Sequence, residues 1–159
     1  MEISIVDRAY AAQNLDRLAA ILVQSVEDGA VVGFAVAEQE RLLFCASIDG
    51  QIAGTVQLYL SPEPNAPHRA EIFKLLVHRD FQCRGIGTAL MLAVEVEAVR
   101  LARSLLILDT VMGGAGERLY SRLGWQQIGI VPHHFVDPFG VPRASVYFMK
   151  LLDLRRDVA

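Results

Sequence analysis

The stretch Arg79 to Met91, RDFQCRGIGTALM, sets Gly85 and Gly87 one residue apart, behind an apolar run and ahead of a long apolar-periodic segment. A chain that passes from strand to helix through two glycines exposes several backbone N–H groups in succession. The helix start adds roughly half a positive charge of dipole. Together they make an anion site, and phosphate is its usual occupant. A side chain at the glycines would hold a phosphate away from the amides, and Arg79 and Arg84 add longer-range attraction. A tight turn without ligand is the competing reading. Two phosphate motifs are excluded. The P-loop's Gly-Lys-Ser/Thr ending is absent. The dinucleotide pattern GxGxxG breaks at Leu90, and Asp109 comes too late to be its ribose-binding acid.

These residues need elements to hold them. Ala70 to Val77 is an apolar run interrupted by Glu71 and Lys74, and reads as a central strand buried on both faces. Ile86 to Arg103 repeats apolar residues at helical spacing, and Ser104 to Thr110 is another buried strand. That strand–helix–strand unit makes the chain α/β. Upstream, Ile3 to Val6 reads as a strand and Ala9 to Asp28 as one helix stopped by Gly29. Arg41 to Ile48 and Gln51 to Leu60 form a hairpin about Asp49-Gly50, a type I′ signal. Ala30 to Glu40 carries no assignment. Downstream, a short helix ends at Gly124, and two strands, Gly129 to Val131 and Ala144 to Leu152, flank a Pro/His/Gly loop.

The chain has 159 residues, enough for one domain, and 53 % are apolar, enough for a proper core. A formal charge of −3 argues against a general nucleic-acid binder. Cys45 and Cys83 have no metal-ligand spacing, so neither a zinc site nor a disulfide scaffold is expected, and the cytoplasm is the default compartment. No signal peptide and no run of ~18 apolar residues is visible, so no membrane partner is expected. The apolar fraction leaves room for a homodimer interface without requiring one.

Gln82-Cys83-Arg84-Gly85-Ile86-Gly87 matches Q/R-x-x-G-x-G/A, which resembles the acetyl-CoA diphosphate loop of the GNAT N-acetyltransferase superfamily. AEI at Ala70 to Ile72 resembles the start of that family's fourth strand, and LDT at Leu108 to Thr110 the end of its fifth. Leu119-Tyr120 followed by Gly124-Trp125 resembles its LYxxxGF signature. GTVQL (Gly54 to Leu58), NAPHRAEIFKLLV (Asn65 to Val77), LILDT (Leu106 to Thr110) and VGF (Val32 to Phe34) are similar to tabtoxin-resistance-type acetyltransferases within it. The resemblance implies a single domain over residues 1–159, with a mixed, mostly antiparallel sheet of six or seven strands flanked by helices. It implies an enzyme that moves acetyl from acetyl-CoA to an amine. Small-molecule amines, proteins or peptides, and a non-catalytic acyl-CoA sensor are the rival readings.

The resemblance also implies roles. Gln82, Cys83, Arg84, Gly85, Ile86, Gly87 and Thr88 would hold the coenzyme diphosphate. The backbone of Leu75, Leu76 and Val77 would pair with its pantetheine arm, and an amide at Leu75 or Leu76 would face the thioester carbonyl. Tyr120 would donate a proton to the departing thiolate. It lies one residue off the Ala115/Leu119/Leu123 stripe, so it need not be core; a packing tyrosine is the alternative. Glu71, eleven positions before Gln82, is the candidate base for the acceptor amine. It is equally an ion-pair partner for Arg69, two residues away on one side of an extended chain. Gly113 stands where many members carry a pantetheine-binding asparagine, so backbone contacts must carry more of the coenzyme. Cys83 has no marked histidine base for nucleophilic work, and Lys74 could touch an acidic group of the acceptor or reach solvent. The Pro132 to Gly140 loop is expected to border the acceptor.

Overall fold

The structure, a computed structural model, describes residues 1–27 and 41–155; the unassigned segment Ala30 to Glu40 lies outside them. In chain order the elements are β1 (Glu2–Val6), α1 (Arg8–Gln13), α2 (Leu15–Glu27), β2 (Arg41–Ile48), β3 (Gln51–Leu60), β4 (Arg69–Val77), a 3-10 turn (Arg79–Phe81), α3 (Ile86–Arg100), β5 (Leu105–Val111), α4 (Ala115–Arg122), β6 (Gln126–Val136) and β7 (Pro142–Leu151). The seven strands form one sheet in the order β1-β2-β3-β4-β5-β7-β6. Every neighbouring pair is antiparallel except β4 and β5. This is the mixed, mostly antiparallel sheet the resemblance implies.

Alternation along the strands builds two unlike faces. Val56, Leu58, Ala70, Ile72, Leu106, Leu108, Val146 and Phe148 pack with Ile86, Leu90, Met91, Val94 and Ala98 of α3 in the main core. Burying each large apolar side chain there contributes roughly 1.5–3 kcal/mol. The other face carries a smaller cluster, Ile21 of α2 on Cys45 and Ile52. Beyond the reach of α2, that face presents polar and aromatic groups instead. Asp49 and Gly50 both have positive φ, 51° and 76°, as a type I′ hairpin turn requires.

Four expectations change. The single helix Ala9 to Asp28 is two, because Asn14 caps α1 and its side-chain amide bonds the Tyr10 carbonyl at 2.9 Å. The long helix stops at Arg100, and Ala102 (φ 55°) turns the chain into β5. β4 is not buried on both faces: Ala70 and Ile72 are buried, while the remaining residues are half-buried. β6 is eleven residues rather than three, and takes in the expected loop at Pro132 and His133. It is an edge strand, exposed along nearly its whole length. Edge exposure removes the apolar alternation that marks a strand, and an edge tolerates a proline at a bulge.

Candidate active site

β4 and β5 pair at three positions, Arg69–Leu105, Ala70–Leu106 and Glu71–Ile107, and then diverge. Both strands run on, to Val77 and Val111, so the β5-facing backbone from Ile72 to Val77 has no partner strand. A bulge produces the fork. Thr55 pairs with Leu76 and Gln57 with Phe73, so Lys74 and Leu75 together oppose Val56, and Lys74 has φ 55°. Two residues against one bend the bulged strand. Gly54 permits this: a Cβ there would lie 2.9 Å from the Leu76 carbonyl oxygen and 3.1 Å from Ile86 Cγ2. Its role was hidden in the sequence, because only the bulge opposite gives it a reason.

A cavity of about 290 Å³ fills the fork, walled by Leu75, Leu76, Asp109, Thr110, Tyr120 and His134 among others. Tyr120 enters from the main-core side, contrary to the expectation that it need not be core. It is 6 % exposed, with its ring 6.0 Å from Trp125 and 5.9 Å from Phe148. Its hydroxyl makes no hydrogen bond to any described residue. Burial, with the charge of Asp109 adding, pushes the phenol well above the ordinary tyrosine range, so it is protonated at neutral pH. A polar network fixes the end of α4. Glu95 of α3 accepts from Trp125 Nε1 at 3.0 Å and from Lys150 Nζ at 2.8 Å, and Lys150 also donates to the Leu123 carbonyl at 2.9 Å. Gly116 lies so close to Thr110 that a Cβ would sit 2.5 Å from its Oγ1.

Beyond the end of β4 lies the glycine loop. Gly85 caps α3 with φ 78° and no side-chain hydrogen bond, and a Cβ on it would meet open space. The amides of Ile86, Gly87 and Thr88 have no carbonyl one turn behind them. With open space beside Gly85, free amides of this kind suit an anion such as a diphosphate. Gly87 also has a packing role. A Cβ there would press Leu119 Cδ2 at 3.3 Å, so this glycine lets α4 approach α3. Gln82 ties the loop to the fork by donating to the Val77 carbonyl at 3.2 Å, and Gln24 of α2 accepts from the Arg79 amide at 2.8 Å. Arg84 stacks on Phe81, 5.4 Å from the ring centre, and Cys83 is exposed with φ 59°. At Gly113 the amide donates to Glu117 Oε2 at 2.6 Å, which closes the turn before α4.

The opposite face of the fork is polar. Glu71 closes the paired part of β4 and β5, and its carboxylate lies 3.9 Å from Arg69 Nε, both side chains about a third exposed. It does not line the cavity; Lys74 does. Burial lowers the Lys74 ammonium; Asp109 partly restores it, and Arg41 lowers it further. On β6, four steps from Val131 to Phe135 match two on β7 from Ser145 to Arg143, with His133 at φ 54°. This bulge brings the His134 ring over β7. His134 Nδ1 is 2.8 Å from Ser145 Oγ and 3.6 Å from Asp109 Oδ2, and Nε2 is 3.1 Å from the Tyr147 hydroxyl. Sequence reasoning assigned no role to Asp109, Ser145 or Tyr147. The available signal was alternation, which puts Asp109 and Tyr147 on one face as paired residues of β5 and β7. Among the described residues no cluster of three or more His, Cys, Asp or Glu could hold a metal ion, and no helix is long and apolar enough to cross a membrane.

A strand fork lies beside a glycine-capped helix, and comparison with known proteins gives this arrangement its family. Residues 6–125 match the model of the acetyltransferase (GNAT) family, and the chain belongs to that family. It is an acetyl-CoA-dependent N-acetyltransferase. The fold is similar to that of the ribosomal-protein-alanine N-acetyltransferase from Brucella melitensis (TM-score 0.80, 20 % identity, covering 96 % of this chain and 100 % of that one). It is also similar to a putative acetyltransferase from Salmonella typhimurium solved with its cofactor acetyl-CoA (0.79, 18 %, 96 % and 94 %). A third similar structure is the ribosomal-protein-S18-alanine N-acetyltransferase from Escherichia coli (0.75, 17 %, 99 % and 97 %).

Proposed function

We propose that the enzyme acetylates the primary amine of a small molecule by direct attack in a ternary complex. Bound acetyl-CoA supplies the acetyl group as a thioester. The amides from Gln82 to Thr88, Gly85 and Gly87 among them, hold its diphosphate, and the unpaired edge of Leu75, Leu76 and Val77 holds its pantetheine arm. An amide at Leu75 or Leu76 donates to the carbonyl oxygen as negative charge grows there, a contact worth roughly 2.7–4 kcal/mol. Tyr120 donates to the departing sulfur. A free thiol titrates near 8.5, below this phenol, so Tyr120 shares its proton as sulfur charge develops rather than ionising outright. Glu71 lies on the acceptor side, where its carboxylate attracts an ammonium and is a candidate base.

The observation that carries this reading is the fork itself: a 290 Å³ space with unpaired β4 backbone on one wall and a protonated phenol on another. That volume suits an acetyl group and a small amine. The second reading, acetylation of a protein or peptide, is favoured by the names of two of the similar structures. Within the family we place the chain near the tabtoxin-resistance-type enzymes, on the stretches GTVQL and NAPHRAEIFKLLV. Free thiols at Cys45 and Cys83 suit a reducing cytoplasm. The test is thiol release from acetyl-CoA with a panel of amines, amino acids and alanine-ended peptides. Turnover confined to the peptides overturns the small-molecule reading.

A further inference from the structure

We propose that Tyr147, His134 and Asp109 form the relay that takes the proton from the acceptor ammonium. The proposal rests on the reading of the fork given above. An amine acceptor is mostly protonated at neutral pH, and only the free amine attacks, so the site needs a path for one proton.

The path is laid out on the acceptor side of the sheet. The Tyr147 hydroxyl lies 3.1 Å from His134 Nε2, and the relay uses the tautomer in which it donates to that nitrogen. The ring's own proton is then on Nδ1, where Ser145 Oγ accepts at 2.8 Å and Asp109 Oδ2 stands 3.6 Å away. Ser145 is 1 % exposed, which fixes that end of the ring, and the edge-on contact with Tyr147, 5.6 Å between centroids, fixes its tilt. Asp109 and His134 both line the fork cavity, opposite the backbone of Leu75 and Leu76. Burial and the charges of Asp109 and Glu71 hold the Tyr147 phenol above its ordinary range, so it stays a donor to the histidine until the substrate replaces its proton.

In the step, an N–H bond of the ammonium breaks and its proton moves to the Tyr147 oxygen. The Tyr147 O–H bond breaks in concert and that proton goes to His134 Nε2. The product is an imidazolium whose Nδ1–H faces Ser145 and the Asp109 carboxylate, and the nitrogen lone pair is free to attack the acetyl carbon. Water later removes the imidazolium proton. Tyr147 does not itself wall the cavity that His134 and Asp109 line; in the relay it meets the ammonium from beside His134, and His134 and Asp109 act through it. Glu71, 3.9 Å from Arg69 Nε, is the rival base for this proton.

The test uses two near-isosteric minimal acceptors with the full-length enzyme. Ethylamine is an ammonium at neutral pH, whereas methoxyamine is already neutral. His134→Gln and Tyr147→Phe should each lower kcat/KM for ethylamine about 10²–10³-fold, lower that for methoxyamine less than about threefold, and leave the KM for acetyl-CoA in place. Tyr147→Phe keeps the ring at a partly exposed position, so it reports even where His134→Gln folds poorly. Equal losses on both amines, or none on ethylamine, overturn the relay while leaving the acceptor reading intact. The same holds if Glu71→Gln alone produces the selective loss. A wild-type enzyme that acetylates peptides but neither amine overturns the acceptor reading and the relay with it.

Discussion

Replacing Tyr120 with phenylalanine separates chemistry from packing, because the structure gives its ring and its hydroxyl different work. The ring packs on Trp125 and Phe148 in the main core, and Phe preserves that contact. The hydroxyl makes no hydrogen bond with any described residue, and burial already disfavours its ionisation. Removing it therefore frees no partner and relieves a poorly solvated group, so stability should hold or rise by up to ~1 kcal/mol. Truncation to alanine would instead cost ~3–5 kcal/mol through the cavity it leaves. Catalysis should respond in the opposite way. Loss of a general acid lowers kcat about 10²–10⁴-fold, or ~2.7–5.4 kcal/mol at 1.36 kcal/mol per decade. The assay is thiol release under saturating acetyl-CoA, with coenzyme affinity from calorimetry and unfolding by denaturant. A Tyr120→Phe enzyme with wild-type kcat refutes the assignment. So does one whose kcat falls only in step with a lost fold or a weakened coenzyme complex.

Gly85→Ala forces a side chain onto φ 78° in open space; it should cost ~1–2 kcal/mol and weaken acetyl-CoA binding, read by calorimetry, while kcat at saturation changes little. Glu95→Ala removes the acceptor shared by Trp125 and Lys150; it should destabilise by ~2–4 kcal/mol in urea unfolding and lower kcat by loosening α4 under Tyr120. Cys83 is exposed and Cys45 is buried, so a disulfide reagent should modify one thiol at once, acetyl-CoA should slow that reaction, and the second thiol should react only on unfolding. Burial raises the Cys45 thiol from 9.0 to about 11. A folded value above the unfolded one contributes stability below about pH 9 that is lost as the pH rises through about 11. The stability gap between wild type and Cys45→Ala should therefore narrow by up to ~2.7 kcal/mol over that interval, measured by denaturation at pH 8 and 11.

Legibility in the sequence followed the range of the interactions involved. The hairpin at Asp49-Gly50 and the strand–helix junction at Gly85 were readable, because each depends on residues within one turn of themselves. The strand fork was not. It needs Gly54 on β3, a bulge at Lys74 on β4 and the short pairing with β5, and neither Gly54 nor Lys74 has a local signature for it. Glycine was also read more simply than it works: Gly85 leaves space outward, whereas Gly87 admits Leu119 of α4. The Asp109–His134–Tyr147 group lay beyond reach for a similar reason. His134 meets its partners only because an edge strand that carries no apolar alternation is bulged by two residues.

That bulge and the one on β4 explain how one thin sheet can serve two chemistries. An unbroken β4–β5 ladder would keep groups on the α3 face apart from groups on the polar face. Pairing ends at Glu71–Ile107, and through the resulting gap Tyr120, packed at a tilt against the core-facing Phe148, lines the same cavity as His134, anchored to Ser145 and Tyr147. Donation to a leaving group and removal of a proton from an incoming one can then proceed from opposite sides of one small space. The side chains that would do so have environments of opposite kind. Tyr120 is buried, has no hydrogen bond to any described residue, and holds its proton. Tyr147 is half-buried, hydrogen-bonded and one step from a carboxylate, and in the proposed relay passes a proton on. A substitution that restored the ladder beyond Ile107 would remove both functions together, even with every proposed catalytic side chain intact.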